Sequence, residues 1–144
     1  MKLTIVGGGG FRVPLVHAAL LADDLIDEVV LFDTDPDRLA LIDRVLTAQT
    51  RPDTELRHRT STDPAEALAG ADFVFSAMRT GGTAGRVLDE RIAAQHGVIG
   101  QETVGAGGIS YALRSIPASL RLARTVAEVA PGAWLINFTN PAGM

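Results

Sequence analysis

The residues with the clearest chemical meaning lie near the amino terminus, where Gly7, Gly8, Gly9 and Gly10 follow a short apolar run and precede a segment with helical spacing. Glycines allow a tight turn in which backbone N–H groups approach a pyrophosphate, and the positive end of the following helix attracts the same anion. Asp33 lies at the predicted end of the second strand, where a carboxylate can accept hydrogen bonds from both hydroxyls of an adenosine ribose. This combination predicts dinucleotide binding. The carboxylate favours NAD because it would repel the 2′-phosphate of NADP.

The glycine turn is not a complete G-x-G-x-x-G motif, because Arg12 occupies the position of the third glycine. A glycine-rich turn in another kind of α/β protein is therefore the alternative. Arg12 and Arg38 are candidate phosphate ligands, since a guanidinium donates several hydrogen bonds to an anion. For both residues the alternative is an exposed arginine that binds nothing.

Short apolar runs alternate with helical spacing along the chain, which is typical of a parallel sheet covered by helices. The sequence therefore predicts an α/β fold with a Rossmann-type doubly wound, mainly parallel sheet and strand order 3-2-1-4-5. The predicted strands span residues 3–6, 29–32, 55–59 (an edge strand), 72–77 and 133–138. Helices are predicted over residues 12–21, from Pro36 onward with Asp35 as the cap, and over 64–68, 87–95 and 109–129. Residues 97–108 read as a glycine-rich loop, and the last helix should bend near Pro117.

The overall composition argues against several classes of protein. A net charge of −4 and a pI near 5.3 argue against nucleic-acid binding. No apolar run is long enough to cross a membrane. The absence of cysteine removes disulfides, thiolate catalysis and thiolate metal sites. The first strand leaves no room for a signal peptide, so we expect a cytoplasmic protein with one domain, residues 1–144.

Several segments resemble signatures of glycoside hydrolase family 4, and within it those of the NAD-dependent 6-phospho-β-glucosidases. Residues 98–109 (VIGQETVGAGGI) resemble its GQET-x-G-x-GG segment, and residues 134–143 (WLINFTNPAG) resemble its NPAG segment. Residues 113–117 (LRSIP) match a third signature, in which Pro117 is more similar to the β-specific members. Residues 7–14 (GGGGFRVP) resemble a GGGS-x-x-x-P turn with Gly10 in place of serine, and residues 79–82 (RTGG) parallel an RVGG element with Thr80 in place of valine.

The resemblance implies an unusual glycosidase mechanism. In this family NAD oxidises C3 of a phosphorylated glycoside, which acidifies the proton on C2. A base removes that proton, the aglycone is eliminated, water adds, and the bound NADH reduces C3 again. A divalent metal, typically Mn²⁺, binds the sugar hydroxyls and stabilises the enolate as a Lewis acid. The resemblance also implies that the full-length enzyme is a homo-oligomer.

The resemblance assigns roles to individual residues as well. It implies that Arg86 binds the substrate at its phosphate, that Asn140 contacts the substrate, and that Glu102 supports the catalytic Tyr by raising its basicity. Phe11 and Arg79 fall in elements that the family uses for the cofactor. Without the resemblance, Arg86 would pass for a solvent-exposed arginine at a helix start, Asn140 for part of an Asx-Pro turn and Glu102 for an ordinary loop acid.

The family's metal ligands, a Cys and a His, and its catalytic Asp and Tyr lie beyond the NPAG segment. His17, His58 and His96 show no ligand spacing, and Tyr111 falls on a predicted helix and does not match the family's base. We therefore expect this chain to be the amino-terminal, NAD-binding part of a longer enzyme. On that expectation it has no metal site and no glycosidase activity of its own.

Two other functions remain open on the sequence. An oxidoreductase similar to lactate or malate dehydrogenase shares the glycine turn and an Asn-Pro after a late strand, but the GQET segment has no place in it. A non-catalytic NAD-sensing module would be complete at this length and would carry a stable apolar interface for a partner.

Overall fold

The strands form one all-parallel sheet. The computed structural model describes residues 1–22 and 24–139, and within them the strands are β1 (Lys2–Val6), β2 (Glu28–Phe32), β3 (Arg57–Ser61), β4 (Phe73–Ser76) and β5 (Trp134–Asn137). Their spatial order is β3-β2-β1-β4-β5, and every neighbouring pair is parallel. This order confirms the Rossmann-type prediction. It places the topological switch point between β1 and β4, where ligands bind in doubly wound sheets.

The helices of the described residues are α1 (Val13–Leu20), α2 (Pro36–Gln49), α3 (Pro64–Leu68), α4 (Gly82–Gln95) and α5 (Gly105–Val129). Both α2 and α3 begin with a proline that follows an aspartate cap, as predicted for α2. The carboxylate of Asp35 accepts hydrogen bonds from the N–H groups of Asp37 and Arg38 at 3.1 and 3.0 Å. The carboxylate of Asp63 accepts one from Glu66 at 2.8 Å. These bonds satisfy N–H groups that a helix start otherwise leaves unpaired.

The core has two layers, because successive residues of a buried strand face opposite sides of the sheet. Ile5 packs with side chains of α1 and α2, whereas Val6 packs with side chains of α3 and α5. The first layer contains Ile5, Val13, Val29, Leu31, Leu39, Ile42, Leu46 and Leu56, and the second contains Val6, Leu68, Ala71, Val74, Leu122, Val126 and Ala130. The central strands are therefore covered on both faces, which supports the loops at their carboxyl ends.

Two helices begin earlier than predicted, and glycine explains both errors. The start of α4 is Gly82 rather than Val87, and α5 starts at Gly105, within the segment predicted as a loop. Glycine has a poor intrinsic helix propensity, but tertiary packing overrides it here. A Cβ atom on Gly107 would lie 2.7 Å from the carbonyl oxygen of Gln101. The first turn of α5 therefore packs directly on the preceding loop.

The predicted edge strand exists as β3, but at residues Arg57–Ser61 rather than 55–59. Its residues pair in register with Glu28–Phe32 of β2. A polar edge strand has only a weak hydrophobic pattern, so the pairing with β2 decides its register.

Helix α5 continues through Pro117 to Val129. A proline inside a helix removes one N–H donor and crowds the preceding turn, and the bend that we expect there stays a prediction. Although α5 has 25 residues, neither it nor any other helix in the described ranges is long and apolar enough to cross a membrane.

Candidate functional site

The glycine turn joins β1 to α1 and packs against neighbouring strands too closely to admit side chains. The N–H groups of Gly7 and Gly8 both donate to the carbonyl oxygen of Phe32, at 2.9 and 2.8 Å. A Cβ atom on Gly8 would lie 2.7 Å from the Cβ atom of Leu31 in β2. Gly7 has a φ of 91°, and a Cβ atom there would lie 2.9 Å from the carbonyl oxygen of Ala77, which follows β4. Glycine is therefore required in this turn both for conformation and for close packing.

Asp33 follows β2 and lies beside the same turn. Its carboxylate accepts hydrogen bonds from the N–H group of Gly9 at 3.0 Å and from that of Asp35 at 3.2 Å. Each carboxylate oxygen keeps a second lone pair as an acceptor site. Arg38 borders the turn from α2: a Cβ atom on Gly9 would lie 2.7 Å from the Cβ atom of Arg38. The Arg38 guanidinium pairs with Asp35 at 3.4 Å. The structure thus brings Gly9, Asp33 and Arg38 together.

The start of α1 carries two N–H groups without a protein acceptor. The N–H group of Gly10 donates to Gly7 and that of Val13 donates to Gly10, both at 3.0 Å, whereas those of Phe11 and Arg12 have no acceptor among the described residues. Phe11 is 81% exposed, and the guanidinium of Arg12 lies 5.3 Å from the centroid of its ring. Unpaired N–H groups at a helix start attract an anion.

A second cluster of charged side chains gathers around Glu102. Its carboxylate accepts hydrogen bonds from Arg79 and from Nη1 of Arg86, the latter at 3.2 Å. Nε of Arg86 donates to Glu90 at 2.8 Å. The hydrogen bond to Glu90 and the charges of both carboxylates raise the pKa of Arg86. Three predicted site residues, Arg79, Arg86 and Glu102, therefore lie in one cluster, and ion pairs as exposed as these can rearrange around a ligand at little cost.

A more buried ion pair joins α4 to α5 in the same region. The two terminal nitrogens of Arg114 donate to the two carboxylate oxygens of Asp89, each at 2.7 Å. The Asp89 side chain is 9% exposed and that of Arg114 is 28% exposed. These hydrogen bonds hold the pKa of Asp89 below its usual range. A Cβ atom on Gly85 would lie 2.9 Å from Nη2 of Arg114, so a glycine at this position leaves room for the guanidinium.

The Glu102 cluster and Asp89 line one pocket, named here the α4–α5 pocket. Its charged or polar lining includes Arg79, Arg86, Asp89, Glu90, Glu102 and Tyr111. Tyr111 is 6% exposed, and its hydroxyl has no hydrogen-bond partner among the described residues. Burial raises the pKa of the Tyr111 phenol. The Arg114 guanidinium lies 5.6 Å from the centroid of the Tyr111 ring. The pocket therefore combines guanidinium donors, carboxylate acceptors and one buried hydroxyl.

One predicted site residue, Asn140, lies outside the described residues, and its substrate contact stays a prediction. Nε2 of His58 lies 3.3 Å from a carboxylate oxygen of Asp43, but within residues 1–22 and 24–139 no group of three or more His, Asp or Glu could hold a metal ion. His17 and His58 contact each other edge to face, with ring centroids 5.6 Å apart. His17 is fully buried, which fits a helix-face residue of the core.

Comparison with known proteins identifies the family of this chain. The model of the family 4 glycosyl hydrolases matches residues 2–144. The chain belongs to glycosyl hydrolase family 4. This membership confirms the resemblance stated from the GQET and NPAG segments, and it decides against the dehydrogenase alternative.

The relatives of this family 4 chain include enzymes named as α-specific and as β-specific 6-phosphoglucosidases. It is 39% identical over 151 residues to 6-phospho-alpha-glucosidase 1 of Lacticaseibacillus paracasei, covering 99% of this chain and 33% of that protein. It is 54% identical over 82 residues to the 6-phospho-beta-glucosidase of Escherichia coli, covering 57% of this chain and 18% of that protein.

Solved structures agree with this placement. The fold matches the 6-phospho-beta glucosidase of Thermotoga maritima, solved with NAD and glucose-6-phosphate, with a TM-score of 0.90 and 34% identity. That match covers 99% of this chain and 35% of the T. maritima chain. The family 4 chain thus spans about a third of the length of the relatives that it matches along its whole length.

The sequence does not predict Asp89 and Tyr111, which line the α4–α5 pocket of this family 4 chain, or Arg114, the ion-pair partner of Asp89, as site residues. Asp89 does carry a signal, because Gly85, Asp89 and Ala93 recur every fourth residue and form the buried face of α4. A carboxylate on such a face needs a partner. Arg114 lies in the LRSIP segment, but that signature does not specify a contact with α4, and Tyr111 carries no comparable signal.

Proposed function

We propose that residues 1–144 form the NAD-binding domain of a family 4 enzyme that hydrolyses 6-phospho-β-glucosides. The observation that carries the proposal is the contact between the glycine turn and Asp33, whose carboxylate accepts a hydrogen bond from Gly9 at 3.0 Å. This contact places a carboxylate that can accept hydrogen bonds from a ribose directly beside the glycine turn, which leads into the start of α1.

The described residues fit the cofactor. Side chains at Gly7, Gly8 or Gly9 would collide with Ala77, Leu31 or Arg38, so glycine keeps the turn close against the sheet. The N–H groups of Phe11 and Arg12, which have no acceptor among the described residues, can donate to a pyrophosphate. The remaining lone pairs of Asp33 suit the ribose hydroxyls. Arg38, which borders the turn from α2, and Arg79, in the segment after β4, are the further candidates for cofactor contacts.

When bound, NAD supplies a hydride acceptor for C3 of the sugar, and the family's chemistry returns the hydride within one hydrolysis. The role proposed for this chain is to bind and orient the reactants. Arg86 binds the substrate phosphate with its forked donors, and Asn140 contacts the sugar. Glu102 supports a base that a longer polypeptide provides. The T. maritima structure, solved with NAD and glucose-6-phosphate, supports the combination of this cofactor with a 6-phosphosugar.

A metal ion is not assigned to the described residues, because they hold no suitable group of His, Asp or Glu and the sequence has no Cys. A second T. maritima structure was solved with manganese, and for the longer enzyme we propose metal ligands outside the residues described here. We further propose that the longer enzyme is a homo-oligomer, as the family resemblance implies.

The proposed β-specificity rests on the LRSIP and NPAG segments. The 54% identity to the E. coli β-specific enzyme over 82 residues supports it. The identity to the L. paracasei α-specific enzyme is lower, 39%, although over a longer alignment.

The test is cofactor binding measured by calorimetry on Asp33→Asn, with Asp37→Asn as the matched control. Asp37 is an exposed acid near the start of α2, so its loss should leave NAD affinity unchanged. Asp33→Asn should weaken NAD binding by about tenfold or more, because hydrogen bonds to a charged group contribute about 1.5–3 kcal/mol. The unsubstituted chain should bind NADP more weakly than NAD. Equal effects of the two substitutions, or no NAD binding at all, would overturn the proposal.

A further inference from the structure

The α4–α5 pocket has an exposed end and a buried end. Arg86 and Glu90 are exposed, whereas Asp89 and Tyr111 are buried. The buried end has one carboxylate whose two oxygens are both bonded to Arg114, and one phenol. The described residues leave two polar atoms here without a hydrogen-bond partner, the Tyr111 hydroxyl and Nε of Arg114, and of these two residues Tyr111 is the one that lines the pocket.

An unpaired buried hydroxyl needs an explanation, because nearly all buried polar groups in native proteins have a hydrogen-bond partner. The hydroxyl lies within electrostatic range of Arg79, whose charge opposes the effect of burial on the phenol pKa. Arg79 lines the same pocket. Tyr111 lines this pocket as well. Its hydroxyl is closed to solvent in the ligand-free chain, so a contact with a ligand requires the pocket to widen at its buried end.

The charges of the lining indicate what kind of molecule fits. Arg79 and Arg86 are balanced by Glu90 and Glu102, with which they form ion pairs. Asp89 is balanced by a partner on α5. A small free anion would meet two carboxylates here, whereas sugar hydroxyls can donate to the carboxylates and accept from the guanidinium groups. The lining therefore suits a sugar ring whose charged substituent points toward the exposed end.

We infer that Tyr111 is a specificity-determining residue whose hydroxyl hydrogen-bonds a ring hydroxyl of the sugar in the α4–α5 pocket. The inference rests on the proposed function, which supplies a 6-phosphosugar as the ligand. Arg86 takes the phosphate at the exposed end, and Tyr111 contacts the ring at the buried end. No role of Tyr111 in proton transfer is involved.

The test replaces Tyr111 by Phe, which removes the hydroxyl and keeps the ring. The substitution should lower ligand affinity without lowering thermal stability. The affinity of the 144-residue chain for glucose 6-phosphate should fall about threefold to tenfold, as the loss of one hydrogen bond predicts. The melting temperature of the ligand-free chain should stay level or rise, because the substitution removes an unpaired buried group. A purely structural tyrosine would instead lower the melting temperature.

The matched control is Ser119→Ala, which removes a hydroxyl from the same helix away from the pocket lining and should change neither measurement. Tyr111 is the only tyrosine of the chain. Addition of glucose 6-phosphate should therefore perturb the tyrosine band of the near-ultraviolet difference spectrum, and Tyr111→Phe should abolish that signal.

Three results would overturn the inference: no binding of glucose 6-phosphate to the unsubstituted chain, an unchanged affinity in Tyr111→Phe, or an equal loss of affinity for inorganic phosphate, which would put the hydroxyl on the phosphate. NAD affinity should be the same in Tyr111→Phe and the unsubstituted chain. A chain that binds glucose 6-phosphate through Tyr111 but not NAD would refute the proposed function and leave this inference standing.

Discussion

Replacing Gly8 by Ala tests whether the glycine turn is required for packing as well as for a ligand. The added Cβ atom would lie 2.7 Å from Cβ and 2.9 Å from Cα of Leu31, which is fully buried in β2. Since part of the obstacle is strand backbone, the turn or the strand has to move. Overpacking of this kind costs about 1–3 kcal/mol, and the loss of glycine freedom in the unfolded chain offsets up to about 1 kcal/mol.

The expected net result is a loss of about 1–2 kcal/mol in the free energy of unfolding. For a domain of this size that corresponds to a melting temperature lower by roughly 3–6 °C, measurable by circular dichroism. The matched control is Gly132→Ala: a Cβ atom there meets nothing within 4 Å and the backbone is not left-handed. This control should be stabilised by about 0.4–1 kcal/mol. If Gly8→Ala melts at or above the temperature of the control, the packing argument for the turn is wrong.

Two further predictions concern buried ionisable groups. Arg114→Gln leaves Asp89 without its ion-pair partner and should lower the free energy of unfolding, measured by urea denaturation at neutral pH, by about 3 kcal/mol. Arg114→Lys should lower it by less, because lysine keeps the positive charge but lacks the two parallel N–H donors of the guanidinium. Arg114 lowers the pKa of Asp89. The difference in free energy of unfolding between Arg114→Gln and the unsubstituted chain should therefore shrink as the pH falls through about 4 and Asp89 becomes protonated. A difference in free energy that stays constant over this pH range would contradict the prediction. Burial lowers the pKa of His17, so the unfolded chain binds a proton more tightly and stability should fall as the pH drops below about 6.5. His17→Leu should flatten the pH dependence of the urea midpoint in this range, and an unchanged slope would assign it to another group.

The dinucleotide part of the site could be predicted because its signals are local. Gly7 and its neighbours follow a strand directly, and Asp33 ends the next strand along the chain. Once both strands are parallel and adjacent, their carboxyl ends meet at one edge of the sheet, and the right-handed crossover rule gives the strand order. The contact between Gly9 and Asp33 follows from that topology.

The pocket between α4 and α5 could be predicted only in part. Arg86 and Glu102 were found through family signatures, and these do not specify that both side chains share a cluster. Asp89 and Arg114 lie 25 residues apart, and no local pattern links them. The starts of both helices were missed for the same reason, since Gly82 and Gly105 have poor helix propensity and become helical through packing.

The sequence by itself determined the order of strands and helices, the glycine turn with its acidic partner, and membership of glycosyl hydrolase family 4, because each depends on neighbouring residues or on a contiguous signature. Only the tertiary structure decided that Arg79, Arg86 and Glu102 meet and that Asp89 is neutralised by Arg114. It also decided that the Tyr111 hydroxyl is buried with no hydrogen-bond partner in the part of the chain that the structure describes. These are contacts between elements that are distant in the chain. Their energies depend on burial and geometry, which no pattern of spacing specifies.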